Sequence, residues 1–287
     1  MDLREKPGKV QKFLELMLRF RLIFVVLMVV LGVTFAASNW QEMNSLPLAA
    51  SLEFSQWTYG FAGLDSLSGS ARYLGVAFLS AFVLLVVFGG VRAGIGALLA
   101  GAAFAGSLFL LDGSEGMQLI FLGVVAGLSL LLLLLARWSV ACAFFPFVLA
   151  WILLTGIVAW IPLVPGEAWL VWAAMSTLGF ASTVAFALVA GSELGAGAPK
   201  GGAMLKAARK MVAPVTISSL LALAAITIDM GNPTGKAIAG AVVMWILYVV
   251  WFFGFFFGTA SFAPWERLRS GTRRVEMKDK KKKSSKK

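Results

Sequence analysis

Apolar residues run through this sequence in long unbroken stretches, at 20–37, 73–90, 94–111, 117–136, 139–161, 168–191, 212–228 and 237–262. A hydrocarbon layer about 30 Å thick is crossed by roughly 20 apolar residues of helix. Inside lipid a backbone must satisfy its own hydrogen bonds, which leaves only helices and closed barrels. These stretches are continuously apolar and do not alternate at period two, so they predict helices and not barrel strands. The expected fold class is therefore all-α, a polytopic membrane helix bundle with about eight transmembrane helices filling residues 20–262.

Charge fixes the expected orientation. With the N-terminus on the cytoplasmic side, the inner segments receive Arg4, Lys6, Lys9, Lys12, Arg19, Arg21, Arg92, Arg137, Lys200, Lys206, Arg209, Lys210 and the basic tail. The outer side receives only Arg72 and Lys236, together with Glu42, Glu53, Asp65, Asp112, Glu115, Glu167 and Asp229. Cytoplasmic loops carry the excess of Lys and Arg in membrane proteins. An odd number of spans would break this pattern, so both termini are expected in the cytoplasm and the location is a plasma (inner) membrane, multi-pass. The formal net charge of +11 follows the topology, and no nucleic-acid partner is expected.

The segments between spans are short. Residues 1–19 form a cytoplasmic N-terminal segment in which Phe13, Leu14, Met17 and Leu18 have helical spacing, as in an interfacial helix leading into the first span. Thr34-Phe35-Ala36 resembles a weak signal-peptidase site, but the long preceding segment favours a retained span. The outer loop 38–72 holds Trp40, Trp57 and Tyr59 and is too small for an independent domain. On the inner side, Met204, Leu205, Ala208, Met211 and Val212 share a stripe, with Lys206, Arg209 and Lys210 opposite. This predicts an amphipathic helix at about 202–211, lying along the inner leaflet with those cations at the membrane surface. Gly195, Gly197, Gly201 and Gly202 would make a flexible approach to it. Residues 266–287 read as a disordered basic cytoplasmic tail that holds anionic inner-leaflet lipids. The small residues Gly94, Gly96, Ala100, Gly101, Ala105 and Gly106, with GxxxG pairs Gly123/Gly127 and Gly254/Gly258, predict close helix packing within the chain or, alternatively, a subunit interface. Pro146 should bend the fifth span. Cys142 reads as a small packing residue.

The missing residue types exclude chemistry. The chain has no histidine, so it has no HExxH zinc site, no Ser-His pair and no haem histidine. Every Asp and Glu can be placed outside the spans, which removes an aspartyl protease pair and a carboxylate proton relay. No catalytic residue, metal site or cofactor is expected, and the chain is not read as an enzyme. The polar side chains left in the interior are hydroxyls. Ser176, Thr177, Ser182 and Thr183 cluster in one span, and Thr216, Ser218 and Ser219 in the next. They read as packing hydroxyls bonded to helices or, alternatively, as a polar substrate path.

Three passages belong together: Leu135-Ala136-Arg137-Trp138-Ser139-Val140-Ala141, the run from Lys200 to Lys210 continuing into Val212-Ala213-Pro214-Val215-Thr216-Ile217-Ser218-Ser219-Leu220, and Gly258-Thr259-Ala260-Ser261. Over about 117–265 they resemble the last five helices of one half of an RND-superfamily permease, of the MMPL and SecD/SecF branches. The resemblance implies an export or translocation half-permease working with a second subunit, identical or related. Two features depart from it. The loop 38–72 is too small for the family's extracytoplasmic domain, and Gly179-Phe180-Ala181-Ser182-Thr183-Val184 lacks the acid that family pumps place there. The expected function is an RND-like membrane subunit without its own proton relay. The alternatives are a structural or assembly scaffold of a membrane complex, or a facilitator channel for lipid or neutral solute.

Overall fold

In a computed structural model of the chain, the described residues are 9–38, 69–109, 151, 153–155, 158, 168–229 and 235–256. Seven α-helices are described: α1 (Lys9–Arg19), α2 (Arg21–Ser38), α3 (Gly69–Gly89), α4 (Val91–Phe109), α5 (Ala168–Gly195), α6 (Lys200–Asp229) and α7 (Gly235–Val250). A π-helical segment, Trp251–Phe256, continues α7. Trp151, residues 153–155 and Val158 are also helical. The GxxxG pair Gly123/Gly127, Arg137, Cys142, Pro146, Gly258 and the basic tail lie outside the described residues, as does most of loop 38–72.

The fold is all-helical among the described residues. Two helical stretches, Val171–Gly195 and Gly201–Thr227, are long and apolar enough to cross a membrane; Arg21–Leu31, Phe78–Gly89, Val91–Phe104 and Ile238–Phe253 are shorter apolar helices.

α5 sits at the centre. Its side chains are buried on every face from Val171 to Leu178 and beyond, apart from the half-buried Ala173 and Leu188, the signature of a helix enclosed by others. α4 packs along it in the opposite direction. A Cβ at Gly101 would lie 3.5 Å from Thr177 Cγ2, one at Gly96 would meet Leu188, and Phe104 reaches Trp172 and Phe180. The small residues of α4 are thus used for close packing inside the chain. α7 runs parallel to α5, with Trp251 against Gly179 and Phe252 against Phe186. α6 packs against α3, α5, α7 and α1.

The corners follow local chemistry. Gly90, at φ 88°, is the single residue between α3 and α4; only a residue without a Cβ takes that conformation freely. The α5–α6 corner is a Schellman motif. Gly197 has φ 105°, its N–H donates to the Leu194 carbonyl at 3.2 Å, and the Ala198 N–H donates to the Glu193 carbonyl at 3.1 Å. The Pro199 carbonyl then accepts the first bond of α6, from the Ala203 N–H at 2.9 Å.

Two expectations change here. The glycines before residue 202 are not a flexible approach: Gly197 is a helix stop, and Gly201 and Gly202 are the first turn of α6. The amphipathic inner helix is not a separate element but the start of α6, which continues through Pro214. Of its apolar stripe, Met204, Ala208 and Met211 are buried in the core, and Leu205 and Val212 are partly buried against it.

Candidate functional site

The hydroxyl-bearing residues were the only polar candidates for the bundle interior, and α5 and α6 present them differently. On α6 they bond back to their own helix. Thr216 Oγ1 donates to the Val212 carbonyl at 2.6 Å, Ser219 Oγ to the Val215 carbonyl at 2.6 Å, and Ser218 Oγ to the Pro214 carbonyl. One bond ties helices together: the Trp245 indole N–H of α7 donates to the Thr216 carbonyl at 2.9 Å.

On α5 the hydroxyls are distributed over three faces. Thr177 lies on the face toward α4, beside Gly101, and donates to the Ala173 carbonyl at 2.7 Å. Ser182 lies toward α7, where Tyr248 buries its hydroxyl beside it without a well-formed hydrogen bond. Ser176 and Thr183 share the stripe of Trp172 and Phe180, at helical spacings of three, four and seven residues. Both hydroxyls are buried without a hydrogen-bond partner among the described residues. The seven candidates therefore do not line one continuous surface.

Sequence reasoning missed a neighbouring arrangement on that stripe. The Trp172 indole N–H donates to Thr155 Oγ1 at 3.1 Å, and Thr155 Oγ1 donates to the Trp151 carbonyl at 3.0 Å. Phe104 of α4 fills the centre, with ring centroids 6.2 Å from Trp151, 5.9 Å from Trp172 and 5.8 Å from Phe180. The hydroxyl links two helices through an indole whose donor would otherwise be buried unpaired.

The charged candidates gather at the opposite end of α5. Glu193 lies just beyond the apolar run 168–191. Its carboxylate accepts from Lys206 Nζ at 3.2 Å and from Lys210 Nζ at 3.1 Å. The two lysines are one α6 turn apart and reach the same carboxylate across the Gly197 corner. They offset an acid placed at a helix C-terminus, where the backbone dipole disfavours it. The hydrogen bond from Lys210 holds the Glu193 carboxyl below its ordinary range; partial burial opposes this, and Lys206 adds to it. Arg209 is exposed and has no ion-pair partner among the described residues. Since α4 is antiparallel to α5, Arg92 at the start of α4 lies at this same end. So does α1, which packs against both α6 and the π segment.

The apolar lengths of the described helices, 22–38, 94–109, 168–191, 212–228 and 237–250, contain no charged residue. Among the described residues no group of three or more Cys, Asp or Glu could hold a metal ion. No family model, no characterised protein and no solved structure matches the chain.

Proposed function

We propose that this chain is a multi-pass subunit of a membrane complex, with about eight spans, both termini on the cytoplasmic side of a plasma (inner) membrane, and no proton relay of its own. The observation that carries this reading is the sorting of side chains along the bundle. Lys9, Lys12, Arg19, Arg92, Lys206, Arg209 and Lys210 collect at one end with the Gly90 and Gly197 corners, while the lengths beyond them are uncharged. Large apolar side chains also stay exposed on the outward faces, among them Leu79, Val83 and Val87 on α3 and Ile238, Val242, Ile246 and Val250 on α7. Each series repeats every four residues, which on a helix is one face. Patches of this kind mark contact with lipid or with a partner.

Such a subunit acts with a partner, as an RND-type export half-permease does. A second reading, the assembly scaffold, is favoured by the enclosure of α5: helices occupy its faces and its hydroxyls do not converge. The same enclosure counts against a facilitator channel. The test is purification from native membranes in mild detergent, followed by native mass spectrometry and reconstitution of the chain alone. The expected result is a second membrane subunit or a second copy bound to the chain, with neither proton uptake nor neutral-solute flux in proteoliposomes. A bare monomer that conducts solute by itself overturns the proposal. Truncation before Lys278 separates the two roles: a scaffold loses its partner when the tail is removed, and a half-permease keeps it.

A further inference from the structure

α1 carries two apolar stripes, and only one of them is used by the bundle. Leu14 points inward at 1% exposure, and Leu18, one turn on, packs against the core. Phe13, Leu16 and Phe20 follow at i, i+3 and i+7, so they share the adjacent stripe. They face outward at 51%, 50% and 41% exposure. Lys12 and Arg19, also spaced by seven, flank that stripe and are exposed. The Arg19 guanidinium lies 5.9 Å from the centre of the Phe20 ring.

The apolar stripe does not stop at Phe20. A backbone bond from the Phe20 N–H to the Leu16 carbonyl at 3.0 Å carries the chain into α2, where Leu22, Ile23, Val26, Leu27 and Val30 are exposed in turn. An amphipathic helix of this kind, basic on one flank and aromatic on its face, lies in the interfacial plane of a bilayer. Its contact with α6 and the π segment puts it at the basic end of the bundle.

We infer that the outer face of α1 is a binding surface for anionic phospholipid head groups. Phe13, Leu16 and Phe20 enter the acyl boundary, Lys12 and Arg19 take the phosphates, and Leu14 fixes the helix to the bundle so that bound lipid stabilises the whole end. The inference rests on the membrane reading above and names the lipid class that this reading leaves open. Charge favours lipid over a second copy of the chain: α1 exposes Lys9, Lys12 and Arg19 against one acid, Glu15, so a second copy would bring one net positive face to another.

The test uses the full chain with Cys142→Ala, labelled with an environment-sensitive fluorophore at Phe13→Cys or, separately, at Val30→Cys. Each is placed in nanodiscs of phosphatidylcholine alone or with phosphatidylglycerol, with quencher-bearing lipid of either head group. The expected result is a shielded Phe13 label that phosphatidylglycerol quenches in preference to phosphatidylcholine. That preference should fall by roughly fivefold for each charge removed in Lys12→Gln and Arg19→Gln. A Val30 label in lipid beside a Phe13 label in water, or beside one indifferent to head group, overturns this inference alone. Both labels in water overturn the membrane reading as well.

Discussion

Gly179 offers the sharpest test of the packing at the centre of the bundle. There α5 meets the π segment that continues α7. A Cβ placed there would lie 2.9 Å from Trp251 Cη2 and 3.3 Å from Cζ3, whereas carbon atoms rest at about 3.5–4.0 Å. The ring cannot retreat easily. Trp251 is fully buried, with Tyr248 5.3 Å away at an interplanar angle of 32° and Phe252 at 6.1 Å. Overpacking of this kind costs about 1–3 kcal/mol, and the better helix propensity of alanine returns at most about 1 kcal/mol. Gly179→Ala is therefore expected to destabilise by up to about 2 kcal/mol. Gly201→Ala is the control. That glycine is exposed in the first turn of α6 with nothing within 4 Å of the added carbon, so only the propensity gain remains. Reversible unfolding of both variants, followed by tryptophan fluorescence in mixed micelles, reads the two signs side by side. If Gly179→Ala proves as stabilising as Gly201→Ala, the close approach of Trp251 is wrong.

Three further predictions follow from named contacts. Removing the Glu193 carboxylate in Glu193→Gln should cost about 0.2–1 kcal/mol, the range of exposed ion pairs, because both lysines are substantially exposed. The Glu193 pKa is lowered in the folded chain from an ordinary value of 4.5, so the clamp contributes fully above pH 4.5 and is lost as pH falls through the lower folded value. Thermal unfolding measured from pH 6 down to about 3 should show that part of the decline absent in Glu193→Gln, and equal slopes would sink the clamp. Thr155→Val leaves the Trp172 indole N–H without its acceptor and should destabilise by about 1–3 kcal/mol, while Thr155→Ser retains most of the wild-type stability in the same unfolding assay. Thr183→Val and Ser176→Ala remove hydroxyls that have no partner among the described residues, so each is expected to leave stability unchanged or to raise it. A clear loss in either would mean that the hydroxyl holds a ligand or a neighbouring helix.

The helical parts were legible where apolar length alone decides. The runs 20–37, 73–90, 168–191 and 212–228 each coincide with most of one helix, and 237–262 begins with α7. What misled was punctuation. The stretch 202–228 divides in the sequence into an amphipathic helix at about 202–211 and a span from 212, two residues before Pro214, which lacks the N–H that an interior position donates. In the fold it lies buried within α6, one turn after Met211, and packing on both sides of it outweighs the lost bond. In the sequence the four glycines of 195–202 look alike. Only Gly197 has the positive φ that ends a helix there; Gly195, Gly201 and Gly202 are helical, and their difference from Gly197 depends on where α5 stops.

The candidate site was less legible, for a related reason. Periodicity assigns a face only when a helix has polar and apolar sides, and α5 is apolar around its whole circumference. Its hydroxyls could be counted from the sequence but not aimed: Thr177 faces Gly101 of α4, Ser182 faces Tyr248 of α7, and Ser176 lies on the stripe of Trp172 and Phe180. The Glu193 clamp joins residues 13 and 17 positions apart, a spacing that belongs to no single helix and arises only once Gly197 reverses the chain. A signal did exist: an acid in the last turn of a helix is unfavourable against the backbone dipole, and two of the cations that follow it, Lys206 and Lys210, are one helical turn apart. The same logic bears on α1. A periodic pattern marks which residues share a stripe, but two adjacent stripes of similar character look identical until a neighbour covers one of them. Leu14 and Phe13 are consecutive and equally apolar, and only the packing of α1 on α6 turns one into an anchor and the other into an exposed face.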